Sequence, residues 1–176
     1  MGDPGALGRY LHWLLFIGLA LLVLFIEALP FNLGATSWPG PQAMALLAMV
    51  WVLRRPDYMP VVIFAVLALI ADLFQMRPPG LMAGLLVLVL EFLRSRHHAA
   101  REWPFVLEWA VVSALLSMVL VANRLILGIL AVPQPALGIE VQQLISSILF
   151  YPIILAFSVW ALRITHIKPG EGGIRL

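Results

Sequence analysis

The residues of this sequence able to do chemistry are the few ionisable side chains set inside its long apolar runs: Glu27, Asp72, Glu91, Glu108 and Arg124. Such groups are costly in lipid and mark contacts there. One arrangement is an ion pair of Arg124 with Asp72 or Glu27, pinning the fifth apolar run to the third or the first; the other is that each side chain reaches separately to the headgroups. Glu91 and Glu108 stand within about a turn or two of basic segments able to neutralise them. His97 and His98 are adjacent, so a regular helix does not aim both at one ion, and no third ligand follows at metal-site spacing. They read as solvated loop residues. There is no G-x-S-x-G elbow and no H-E-x-x-H, and Gly170-Glu171-Gly172-Gly173 lacks the strand and the Lys of a phosphate loop. The chain has no Cys, which excludes thiol catalysis, disulfides and thiolate metal sites. No enzymatic chemistry, cofactor or metal is expected.

The elements that position these groups are apolar helices. Of 176 residues 62% are hydrophobic and only 11% charged, too little polar surface to cover a water-soluble globule. A spanning helix takes about 20 residues, so six spans consume nearly the whole chain. The reading is a single all-α membrane domain, a compact bundle of six short transmembrane helices near 10–29, 39–53, 60–75, 80–95, 104–130 and 140–163. The first run is too long for a signal-peptide core and lacks a small-x-small cleavage pattern, so it reads as a retained signal anchor. Phe31 to Pro41 is an exterior loop, Pro60 opens the third helix, and Pro78-Pro79 forces a reversal before the fourth. The fourth stops in Arg94, Ser95, Arg96, His97, His98 and Arg101, and Pro133, Pro135 and Gly138 close the fifth.

The net charge of +2 is carried by basic residues scattered singly between apolar runs, which does not make a nucleic-acid-binding stripe. Alternating the loops puts Arg9, Arg54, Arg55, Arg94, Arg96, Arg101, Arg163, Lys168 and Arg175 on one face and only Arg77 and Arg124 on the other. Because cytoplasmic loops are rich in Lys and Arg, both termini are expected inside. Trp13, Trp38, Trp51, Trp103 and Trp160 lie near run ends, where indoles prefer the headgroup region. Runs two to four are short, so runs three and four are open to a second reading as a re-entrant hairpin with Arg77 at its tip.

Gly80 to Gly84 forms a G-x-x-x-G and Ser113 with Ser117 a second small pair, the spacing that lets helices approach closely in lipid. Gly80 also suits the turn after Pro79. Pro152, in mid-helix, leaves the Ile148 carbonyl without its normal donor, with Ser146 and Ser147 near enough to compensate. The bend there is either the wall of a cavity or a packing kink.

Arg54-Arg55-Pro56, the run ending Leu69-Ile70-Ala71-Asp72-Leu73, Pro79-Gly80-Leu81 opening the next helix, and Tyr151-Pro152 in the last helix together resemble the MreD family of rod shape-determining proteins, over essentially the whole chain. Ala68 stands where that family commonly has Gly. The resemblance implies a non-enzymatic subunit of the bacterial cell-elongation machinery in the inner membrane. It would bind MreC directly and share a complex with MreB, RodA and its partner transpeptidase. It also implies a fold similar to the substrate-binding subunits of energy-coupling-factor transporters, and hence a rival reading as a small-solute transporter subunit. Asp72, Pro79, Gly80, Gly84, Arg124, Tyr151 and Pro152 are the candidate partner-binding or structural residues.

Overall fold

Proline and glycine cut the chain into its elements. The computed structural model describes residues 4–28, 39–100 and 102–160. They form α1 (Pro4–Ala28), α2 (Ala43–Arg54), a 3-10 turn (Pro56–Tyr58), α3 (Val61–Phe74), α4 (Leu81–Ala100), α5 (Phe105–Ile129) and α6 (Leu137–Trp160), with no strand among them. Pro60 and Pro104 sit one position ahead of α3 and α5 as N-cap residues, where extended backbone is natural to proline and the carbonyl still accepts the first helical N–H groups. The α3–α4 reversal uses two left-handed residues, Met76 (φ 53°) and Gly80 (φ 89°), and the α5–α6 turn uses Ala131 (φ 51°).

α2 is the axis. Every residue from Met44 to Leu53 is buried, so the helix is apolar all round because it has no outward face. α4, α6 and α1 pack against it, and the outer helices follow one another in an arc, α1 on α3, α3 on α4, α4 on α5 and α5 on α6. Outward faces carry Leu14, Phe25, Val62, Leu88, Ile129 and Ile153 in the open. Three helices are long and apolar enough to cross a membrane: Gly8–Glu27, Phe105–Ile129 and Leu137–Trp160. α2 and α3 are shorter, 12 and 14 residues, or about 18 and 21 Å at 1.5 Å per residue.

Several sequence expectations change. α4 does not stop at the basic cluster; it continues to Ala100 because no Pro or Gly interrupts Arg94 to Ala100, so His97 and His98 are helical, their rings 3.8 Å apart. Trp51 does not sit at a surface. It is fully buried against Phe16, ring centroids 5.3 Å apart. The indole that does mark the α1 end is Trp13, whose Nε1–H donates to the Asp57 carbonyl at 3.0 Å, beside a His12–Tyr58 stack. Trp38, Arg101, Arg163, His166, Lys168, Arg175, the Gly170–Gly173 tail and most of the expected exterior loop lie outside the described residues.

Candidate functional site

Apolar side chains gain little from leaving a hydrocarbon solvent for one another, so specificity in such a bundle falls to packing and polar ties. The first tie is Asp72, buried near the end of α3. Its Oδ2 accepts from the backbone N–H of Gly80 (2.9 Å) and of Ala83 (3.2 Å), filling two of the donors that the start of α4 leaves free. A carboxylate six residues ahead of a proline pair thus caps the next helix. Pro79 delivers the chain to Gly80, whose left-handed φ turns the amide toward that carboxylate. Asp72 is committed to its own chain.

The second tie is centred on Glu108 of α5, only 3% exposed. Tyr151 of α6 donates its hydroxyl to Oε1, and Arg54 at the end of α2 lies 3.4 Å from Oε2. Three helices therefore meet at one carboxylate. The charge that faces Glu108 among the described residues is Arg54, from another helix and in the bundle interior, rather than the basic segment a turn or two away in the sequence. Glu91, by contrast, is exposed and pairs loosely with Arg94 at 3.9 Å, a contact of little energetic consequence.

The third tie concerns Pro152. The Ile148 carbonyl it orphans accepts from the indole N–H of Trp109 at 2.9 Å. Ser146 and Ser147 do not compensate for it, since their hydroxyls donate to Gln142 and Gln143 one turn back. Their second role is across the bundle: Ser147 Oγ accepts from the Gln42 N–H at 2.9 Å, and Ser146 Oγ is 3.0 Å from the Pro39 carbonyl. The hydroxyls of Ser113 and Ser117 likewise turn back on their own helix, to Trp109 and Ser113.

Arg124 pairs with Glu140 of α6 rather than with Asp72 or Glu27. The α5–α6 turn is only seven residues long, which brings the end of one helix to the start of the next. Gln134 Nε2 completes the clasp by donating to the Arg124 carbonyl at 3.1 Å. Glu27 instead receives Gln75 Nε2 at 3.3 Å near the surface. Gly84 is exposed and a Cβ there would meet nothing within 4 Å, so none of the described helices packs on it.

Between the α3–α4 turn, α5 and α6 lies a cavity of about 430 Å³. A smaller one, about 40 Å³, sits beside it between α1, α2 and α3, and Gln42, Gln75, Arg77 and Gln143 border both. Sequence reasoning missed Trp109, Gln42 and Gln143. Only Trp109 had a signal: an orphaned carbonyl at Ile148 demands a donor, and Trp109 lies on the neighbouring helix next to Glu108. Comparisons with protein-family models, with curated proteins and with solved structures find no match.

Proposed function

We propose that the chain is a non-enzymatic subunit of the bacterial cell-elongation complex, a multi-pass inner-membrane scaffold of the MreD type that binds MreC and helps position peptidoglycan synthesis. One observation carries the reading. The segments on which the resemblance rests are the segments that tie the bundle together: Arg54 reaches Glu108, Asp72 caps α4 through Gly80, Tyr151 reaches Glu108, and Pro152 creates the acceptor that Trp109 fills. Motifs scattered along the sequence acquire a common physical purpose, a fixed relation among α2 to α6. Of the described arginines, Arg9, Arg54, Arg55, Arg94 and Arg96 gather at one end and Arg77 and Arg124 at the other, which favours six spans with both termini inside.

The partner face in this reading is the outward side of the α3–α4 hairpin, where Gly84 is open and Asp72 holds the helix end in place. The test is co-purification of MreC with the full-length chain. Replacing Gly84 with Leu, or Asp72 with Ala, should reduce the MreC recovered and impair rod shape. Unaltered complex and unaltered rods after both changes would overturn the assignment. The cavity beside Arg77 favours a second reading, a small-solute transporter subunit with a fold similar to the substrate-binding subunits of energy-coupling-factor transporters. Uptake lost on deletion, with cell shape unaffected, would select it.

A further inference from the structure

The short axis helix begins deep. Ser147, ten residues into α6, hydrogen-bonds the backbone of Gln42, so α2 starts about 15 Å below the end of the bundle where α6 starts. The Pro39–Gln42 approach is not helical. Irregular backbone at such depth is tolerated in membranes where it is enclosed by protein or borders a cavity. Gln42 does border one, and α2 begins there with no side-chain cap, leaving the positive end of its dipole toward the space.

The lining has two characters. Gln42, Arg77, Asn123 and Gln143 are half-buried, and among the described residues none of their side chains has a hydrogen-bond or ion-pair partner. Among the described residues, the charged ones that line the cavity are Arg77 and Glu140, and Glu140 is already paired with Arg124. What remains among the described residues is the Arg77 charge together with uncommitted carboxamides. The other wall is apolar: Leu116, Val119, Leu120 and Leu127 run along α5 for about 16 Å, the depth of one leaflet of a bilayer core roughly 30 Å thick. A volume of about 430 Å³ falls in the range of small-molecule sites, room for a headgroup and part of a chain rather than a whole two-chain lipid.

We propose that this cavity binds one anionic glycerophospholipid, its phosphate held by Arg77 and the Gln42 and Gln143 amides and one acyl chain laid along the α5 wall. Guanidinium and amide donors match phosphate oxygens, and the α5 wall matches a hydrocarbon chain entering from the same leaflet. The proposal is independent of the scaffold reading: a lipid site neither requires nor excludes MreC.

The test is native mass spectrometry of the full-length chain, delipidated in detergent and titrated separately with phosphatidylglycerol, phosphatidylethanolamine and inorganic phosphate. A one-to-one phosphatidylglycerol adduct is expected, tighter than the phosphatidylethanolamine adduct and not displaced by inorganic phosphate. Arg77→Gln should weaken it by about tenfold or more, and Leu120→Trp should abolish it by filling the wall. Val62→Trp, on the open face of α3, should leave it unchanged. Arg77→Gln removes no side-chain hydrogen bond or ion pair among the described residues, so its fold is expected to survive even if that of Leu120→Trp does not. Equal adducts in Arg77→Gln and Val62→Trp would overturn the proposal, as would absence of the one-to-one species. Displacement by inorganic phosphate would overturn it in favour of a small-anion site.

Discussion

The indole N–H of Trp109 donates to the backbone carbonyl of Ile148 at 2.9 Å, the carbonyl that Pro152 cannot serve. A tryptophan on α5 therefore does the work of a missing peptide N–H on α6. Replacing Trp109 with Phe keeps the ring but leaves that acceptor unsatisfied, a cost of about 1–3 kcal/mol. Replacing Pro152 with Ala returns an N–H to the helix, so the same Trp109→Phe change should then cost less than about 1 kcal/mol. Unfolding by SDS titration in mixed micelles gives the four stabilities. Strictly additive values would show that the indole and the proline are not linked.

Glu108 supports a different test, because it is buried and serves two helices. Glu108→Ala strands Arg54 in the interior and should destabilise the bundle by about 3–5 kcal/mol, more than Tyr151→Phe at about 1–3 kcal/mol. Removing the ion pair whole, with Arg54→Met and Glu108→Leu together, should recover most of the loss, since no lone charge then remains. The same SDS titration decides it: a double variant no more stable than Glu108→Ala would mean that the charge pair itself, rather than the penalty for an unpaired Arg54, holds α2 to α5.

What the sequence makes legible is what depends on local chemistry. Composition and the spacing of Pro and Gly point to six helical segments, because Pro and Gly interrupt helices. Pro152 announces an orphaned acceptor for the same reason. Where neither Pro nor Gly stands, as from Arg94 to Ala100, the end of α4 is not legible. Partner identity is less readable. Arg124 has three carboxylates at the right end of the bundle, Glu27, Asp72 and Glu140, and its choice of Glu140 follows from the short α5–α6 turn and from Asp72 being occupied by α4. Trp51 looks like an interfacial indole from its place at the end of an apolar run; it is buried because α2 is enclosed on every side, a property of the assembly. The cavity is the least legible feature, since Gln42, Arg77 and Gln143 come from three separate segments.

Asp72 should behave as a cap rather than as a buried charge. Asn at that position retains a carbonyl oxygen able to take the Gly80 and Ala83 amides and loses mainly the favourable charge at the start of α4, about 0.3–1 kcal/mol. Ala loses both hydrogen bonds and should cost about 1–2 kcal/mol. Hydrogen exchange localises the effect. Protection of the Gly80 and Ala83 amides should fall sharply in Asp72→Ala while that of α6 stays near wild type, and uniform loss across the bundle would contradict the capping role.

The two glycines of the G-x-x-x-G should respond to alanine with opposite signs. Gly80 holds φ at 89°, a conformation that costs a residue with a Cβ about 1–2 kcal/mol, so Gly80→Ala is destabilising and Gly80→Asn less so. Gly84 lies in the first turns of α4 with open space where a Cβ would go, so Gly84→Ala should raise the stability of the isolated chain by about 0.5–1 kcal/mol through helix propensity. If the open face receives a partner helix, bulk at Gly84 should weaken that complex while leaving the chain itself at least as stable. Thermal unfolding of the chain alone, set beside recovery of its partner, separates the two effects. A Gly84→Leu chain that is both more stable and fully competent to bind would move the contact surface away from α4.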